Sequence, residues 1–300
     1  MPAVAGKGIS VTLEAGDASA VIAVRGAEPR SWRVGGRELL WHADASHWDR
    51  SAPILFPVVG ASAGGTIQVD GVPHPMPQHG FARDSLFDVV ERRPERVRLR
   101  LSESPTTRAR YPFAFVLEVT VALAPATLSL TFAVRNVGPQ PMPYALGVHP
   151  AFPWPFDATS REGHSVEFAA PERADVPLLT SDGLLQRRTR RVDLHGTRLA
   201  LTPELFGQGA LAFLDAASAA VSFVSPSGAR ITLAGEGFPH LALWTKPTAP
   251  FLSMEAWTGH ADWEDGAGEL RDRPSMRSLE DGAAGRHEVR MNYSAGPGGR

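Results

Sequence analysis

Apolar and polar positions alternate along this chain with a period of two. Arg96-Val97-Arg98-Leu99-Arg100-Leu101 does so without a break, as do Glu118-Val119-Thr120-Val121-Ala122-Leu123 and Thr127-Leu128-Ser129-Leu130-Thr131-Phe132. Successive side chains of an extended strand leave opposite faces, so this pattern predicts strands packed on one side and wet on the other. Only Ala124-Pro125-Ala126 separates the last two segments, which predicts an antiparallel hairpin. Weaker strand patterns cover residues 11–13, 20–24, 86–91, 166–168, 219–224, 230–234, 241–244, 251–256 and 288–293. Helical periodicity is poor. Its best instance is Thr202-Pro203-Glu204-Leu205-Phe206, with a capping threonine, a proline in the first turn and Gly207 to end it. No fixed-period repeat and no linker divides the chain. The expected fold is all-β, a single large antiparallel β-sandwich over residues 1–293, with a disordered tail over 294–300.

Composition narrows the function classes. The chain has 300 residues and 43% hydrophobic content, enough for one large core. A net charge of -2 with no basic patch argues against a nucleic-acid partner. All but two of the 30 basic residues are arginine, a bias that reads as codon usage as much as function. There is no cysteine, which excludes disulfides, thiolate nucleophiles and cysteine zinc sites. Residues 1–10 lack a basic region followed by a long apolar core. No apolar run approaches the roughly twenty residues of a membrane span. These features lead to the expectation of a cytoplasmic protein without membrane contact.

Candidate chemistry concentrates in three segments. Gln78-His79-Gly80-Phe81-Ala82-Arg83 follows Pro75-Met76-Pro77, a stiff approach, and carries an imidazole and a guanidinium on one loop. Gly147-Val148-His149-Pro150-Ala151-Phe152 holds a second imidazole where a strand runs into a proline. The aromatic run Phe152-Pro153-Trp154-Pro155-Phe156 follows it, suited either to stacking on sugar or to filling a core. Phe251-Leu252-Ser253-Met254-Glu255-Ala256-Trp257 puts a carboxylate inside an apolar strand, where partial desolvation raises its pKa toward the range of a general base. Two imidazoles and a carboxylate brought together supply an acid, a base and a spare hydrogen-bonding group. A structural role stays open for each: a satisfied core histidine, an arginine paired to a surface acid, a glutamate in a salt bridge.

Other groupings carry less. His42 and His47 flank Trp41 and Trp48 without zinc spacing, and His260, Asp262 and Glu264 lie in an acidic loop. No metal site is expected. Residues 60–65 lack the Lys-Ser/Thr of a phosphate-binding loop, and no Gly-x-Ser-x-Gly motif occurs. Asp44, Asp215 and Asp262 are all possible substrate ligands.

At these residues the chain resembles the aldose 1-epimerase (galactose mutarotase) family, in particular its bacterial LacX-like and hexose-6-phosphate mutarotase-like branch. The resemblance covers roughly residues 41–293. Landmarks come in the family's order: Ser51-Ala52-Pro53-Ile54-Leu55-Phe56-Pro57-Val58-Val59-Gly60, then residues 78–83, Tyr111-Pro112-Phe113, residues 147–152, Leu243-Trp244-Thr245-Lys246-Pro247 and Glu255-Ala256-Trp257. The resemblance implies a galactose mutarotase-like β-supersandwich with an open polar cleft. It implies interconversion of the α and β anomers of an aldohexose or related sugar, without any cofactor. Glu255 would be the general base on the C1 hydroxyl and His149 the acid on the ring oxygen, so that Glu255 starts ionised and His149 protonated. His79, Arg83, Asp215 and Trp244 would bind the sugar, Asp215 standing in for an aspartate whose motif is not clear here. Ala61 stands where the family often has a substrate-contacting arginine, and Ala256 where it has proline. The sequence leaves the sugar, its phosphorylation and the choice between monomer and homodimer open. The rival expectation is a non-catalytic carbohydrate-binding sandwich.

Overall fold

A computed structural model of the protein describes residues 9–266, 268–274 and 276–297. The alternating segments form three adjacent strands toward one edge of a ten-stranded antiparallel sheet. Its order is Leu194–His195, Arg198–Ala200, Ser165–Phe168, Ala220–Val224, Arg230–Glu236, Ala284–Ser294, Thr127–Asn136, Phe115–Ala124, Arg96–Ser102 and Asp88–Arg93. The hairpin register places Leu117 opposite Val134, Val119 opposite Phe132 and Val121 opposite Leu130. All six are buried, while Glu118 and Thr131 between them stay partly exposed. Each buried side chain of this kind stabilises by about 1.5–3 kcal/mol, so a register slip of one residue would forfeit the whole face.

Two smaller sheets pack with this one. Ser10–Ala15, Ala18–Ala23, Glu28–Val34 and Arg37–Glu38 form the first. The second runs Leu211–Phe213, His240–Trp244, Phe251–Trp257, Gly147–Val148 and Ile54–Leu55, with Ala151–Pro153 also paired to Phe251–Trp257. One hydrophobic cluster draws from all three sheets, through Leu13 and Trp32, Leu117 and Phe132, and Leu243 and Met254. The all-β architecture expected from the period of two is therefore present. Among the described residues no helix is long and apolar enough to cross a membrane.

Departures from the pattern have local causes. The 86–91 expectation moves to Asp88–Arg93, an edge strand with an irregular register at Val89/Glu91, so Val89 and Val90 lie exposed. The hairpin Asp175–Leu179 with Leu185–Arg191 goes unforeseen because its second strand is almost wholly polar. The short helix Pro105–Arg108 also goes unforeseen; Ser104 and Thr107 cap it reciprocally. Residues 203–206 make the single expected turn, of 3-10 type, without a hydrogen bond from the Thr202 side chain. The last strand ends at Ser294, one residue beyond the expected domain edge, and residues 298–300 of the expected tail lie outside the described residues.

Candidate active site

The Phe251–Trp257 strand is buried along its full length, yet its two faces differ. Leu252, Met254 and Ala256 point into the main core, and so do their partners Leu243, Leu241 and Val148. Ser253, Glu255 and Trp257 therefore share the other face. On that face Glu255 lies opposite Ala242, which lies opposite Ala212. Both neighbours on that face are methyl groups, so no bulky side chain covers the carboxylate from these two strands. Val148 faces the core, so the next residue, His149, turns toward Glu255.

The two groups meet. His149 Nε2 lies 3.1 Å from Glu255 Oε1. The other ends are fixed as well: the Trp257 indole donates to Glu255 Oε2 at 3.0 Å, and His149 Nδ1 lies 2.9 Å from Ser253 Oγ. Only 7% of His149 and 2% of Glu255 are exposed. Burial pushes the Glu255 carboxyl well above its ordinary 4.5, offset in part by the Trp257 bond. Burial likewise lowers His149 from 6.5 to about 3, and the Arg83 and Arg50 charges add to it. Burial thus works against the ionised Glu255 and protonated His149 that the resemblance implies, while their 3.1 Å contact works for it.

His79 reaches the same place from a loop. Its backbone is left-handed, with φ at 66°, and Gly60 clamps it twice. The Gly60 amide donates to His79 Nδ1 at 3.0 Å, and the His79 amide donates to the Gly60 carbonyl at 2.8 Å. Nδ1 accepts, so the ring proton is on Nε2. The ring stands edge-on to His149, with centroids 5.7 Å apart. Burial holds it well below 6.5, with His149 and Arg83 contributing. Glycine is required on both sides of the clamp. A Cβ on Gly80 would overlap the Phe56 carbonyl, and one on Gly60 would run into Ala261.

Arg83 is braced within its own loop. It donates through Nη2 to the Gln78 carbonyl at 2.7 Å, and Nε lies 3.8 Å from the Asp84 carboxylate. Arg50 donates to the same carboxylate at 2.7 Å. Trp244 and Trp48 form an aromatic wall. Their ring centroids are 5.4 and 4.9 Å from that of His149 and 5.4 Å from each other. Both are half-buried, so their remaining faces line the rim. Beyond His79 the surface opens into a polar hollow of about 760 Å3, lined by Gln78, Asp182, Gln186, Arg188 and Gln208 among others.

The structure places four further candidates. Asp215 sits in a left-handed turn with its side chain largely exposed, 3.8 Å from His240, rather than against the pair. Asp262 is engaged in a buried ion pair with Arg273 at 3.1 Å and accepts from the Ala63 amide. The aromatic run after His149 is core: Phe152 and Trp154 are fully buried and the Trp154 indole donates to the Arg161 carbonyl. Ala61 is buried near the Gly183 turn of the polar hairpin and lines a small cavity with Gln78, Asp182 and Leu184. Trp48, Arg50, Ser253 and Trp257 are site residues that sequence reasoning passed over. Period-two spacing from Glu255 was a usable signal for Ser253 and Trp257. Nothing local marks Trp48 or Arg50.

Comparisons with known proteins bear on the family and the fold. Protein LacX (chromosomal) of Lactococcus lactis subsp. lactis is 29% identical over 255 residues, covering 81% of this chain and 85% of LacX. A galactose mutarotase-like protein from Lactobacillus casei superimposes with a TM-score of 0.88 at 29% identity, over 95% of this chain and 100% of that one. A galactose mutarotase related enzyme from Lactobacillus acidophilus gives 0.87 at 27% identity, over 96% and 99%. The family model for aldose 1-epimerase matches residues 10–266, and the chain belongs to that family.

Proposed function

We propose that the protein is an aldose 1-epimerase that interconverts the anomers of a free reducing sugar by opening and closing the pyranose ring. The observation that carries this reading is the buried contact of His149 Nε2 with Glu255 Oε1 at 3.1 Å. An acid and a base of this kind can serve O1 and the ring oxygen of one sugar. One partner removes the O1 proton while the other protonates the ring oxygen. The bond from C1 to the ring oxygen breaks and the aldehyde forms. Rotation about C1–C2 presents the opposite carbonyl face, and reclosure with the roles exchanged gives the other anomer. No electron leaves the sugar, so the chemistry requires no redox group. Each proton-transfer group contributes roughly a hundred- to ten-thousandfold.

Binding falls to the groups around the pair. His79 Nε2–H is a fixed donor for a ring or hydroxyl oxygen. Trp48 and Trp244 offer apolar faces to the sugar's C–H groups. Arg83 and Arg50 add positive charge beside both imidazoles, and Arg83 serves a hydroxyl or phosphate oxygen.

The test is a mutarotation screen over freshly dissolved α-D-glucose, α-D-galactose and glucose 6-phosphate, followed by polarimetry or NMR exchange, with His149→Ala as control. Acceleration by the protein and its loss in the variant are expected. The reading is wrong if none of the sugars is accelerated above buffer. A non-catalytic sugar-binding role needs no contact between His149 and Glu255, so their meeting favours catalysis.

A further inference from the structure

Ser253 is wholly buried and lies between two acceptor sites. Its hydroxyl oxygen is 2.8 Å from the Pro150 carbonyl and 2.9 Å from His149 Nδ1. The Pro150 carbonyl also takes the Met254 amide at 3.1 Å, which leaves it one lone pair for the hydroxyl. A serine hydroxyl has one proton and two lone pairs. If that proton went to Nδ1, two oxygens would face each other at 2.8 Å with no proton between them, in a place water does not reach. All three groups are satisfied only when Ser253 donates to Pro150 and accepts from Nδ1–H.

We infer that Ser253 is a positioning residue: it holds the imidazole proton of His149 on Nδ1, turns Nε2 into the acceptor that faces Glu255, and so leaves the pair with a single proton between Nε2 and Oε1. This rests on the acid–base reading of the pair given above. Burial disfavours a charge on either partner, and the second carboxyl oxygen is occupied by the Trp257 indole.

The first test does not depend on activity. Two-bond 1H–15N correlations are recorded on the full-length protein labelled with 15N-histidine at pH 7, with His149 assigned by loss of its signals in His149→Gln. Expected is a neutral ring protonated at Nδ1, with the opposite tautomer at His79 as an internal contrast. An Nε2–H tautomer or an imidazolium at His149 overturns the inference, and the wild-type spectrum alone decides this. The second test is Ser253→Ala. We expect kcat to fall by about ten- to a hundredfold, the scale of losing an orienting partner of a working imidazole, with KM changed less than about twofold. An unchanged kcat in a folded variant overturns the positioning role. Absence of mutarotation in the wild type, with the expected tautomer present, would fail the proposed activity and leave the proton assignment standing.

Discussion

His79 and His149 face each other across 5.7 Å, and the two segments that carry them hold opposite ring nitrogens. In the 78–83 loop a backbone amide donates to Nδ1, so His79 presents an N–H and has no basic nitrogen left for the site. In the strand region Nδ1 meets a hydroxyl already committed to a carbonyl, so His149 presents a bare nitrogen to Glu255. Two histidines in similar Gly- and Pro-flanked motifs thereby become a hydrogen-bond donor and a base. The difference comes from what stands behind each ring. Under the proposed function it also divides the labour: His79 holds an oxygen without exchanging protons, whereas His149 exchanges them.

The largest effect should come from the partner of the basic nitrogen. Glu255→Gln keeps the shape, places an amide donor against Nε2 and an amide oxygen under the Trp257 indole. It imitates the protonated carboxyl and cannot pass a proton. Mutarotation should fall by about a hundred- to ten-thousandfold, while urea unfolding at pH 7 shows equal or greater stability. A variant that stays active would remove Glu255 from the chemistry.

Acidification should strain the same contrast on a larger scale. His149 is lowered to about 3, and His240 and His287 to about 4, chiefly by burial. Unfolded, these groups titrate near 6.5. The unfolded chain therefore binds more protons in this window, and stability falls as the pH drops from about 6.5 toward 4. A tenfold difference in proton affinity between the folded and unfolded chain is worth about 1.4 kcal/mol, so each of these histidines destabilises the fold as the pH falls through this window. Glu255 has the opposite sign: its raised folded pKa costs stability as the pH rises above 4.5. Glu255→Gln should remove that part alone. Melting temperatures of both proteins across pH 4–8 check it, and a flat profile below pH 6.5 would contradict the neutral histidines.

His79→Ala probes the donor side. It deletes an N–H aimed at the sugar and leaves the buried Gly60 amide without a partner. KM should rise about tenfold with kcat less affected, and stability should drop by about 1–3 kcal/mol. A fall confined to kcat would instead make His79 a proton-transfer group. Trp257→Phe should be the mildest. Loss of one donor to Oε2 costs about 1 kcal/mol, or roughly five- to tenfold in rate, and raises the Glu255 pKa further. A shift of the kcat profile to higher pH along its Glu255 limb is the readout, and an unmoved profile would show that the indole does not tune the carboxyl.

Much of this protein was legible in its residues. The period of two in residues 96–101, 118–123 and 127–132 is a local property, because the pleat alone sends alternate side chains to opposite faces. It located most of the ten-stranded sheet and missed Glu28–Val34, Thr66–Val69 and the wholly apolar Leu211–Phe213. The buried carboxylate was legible for the same reason: Glu255 interrupts an apolar strand and has to be paired or functional. The motifs around His79, His149 and Glu255 likewise marked the right segments. What no local pattern held was the partner of each atom. Gly60 is 19 residues from His79, and Ser253 is 104 from His149. Trp48 and Arg50 come to the rim from a stretch with no periodic signal, and Asp215 turns toward His240 instead of the pair. Sequence by itself determined which side chains leave the core face of the sheet. Tertiary structure decided what stands beside each ring nitrogen and how far each carboxyl is desolvated, because desolvation and hydrogen-bond pairing depend on neighbours that only folding brings within about 3 Å.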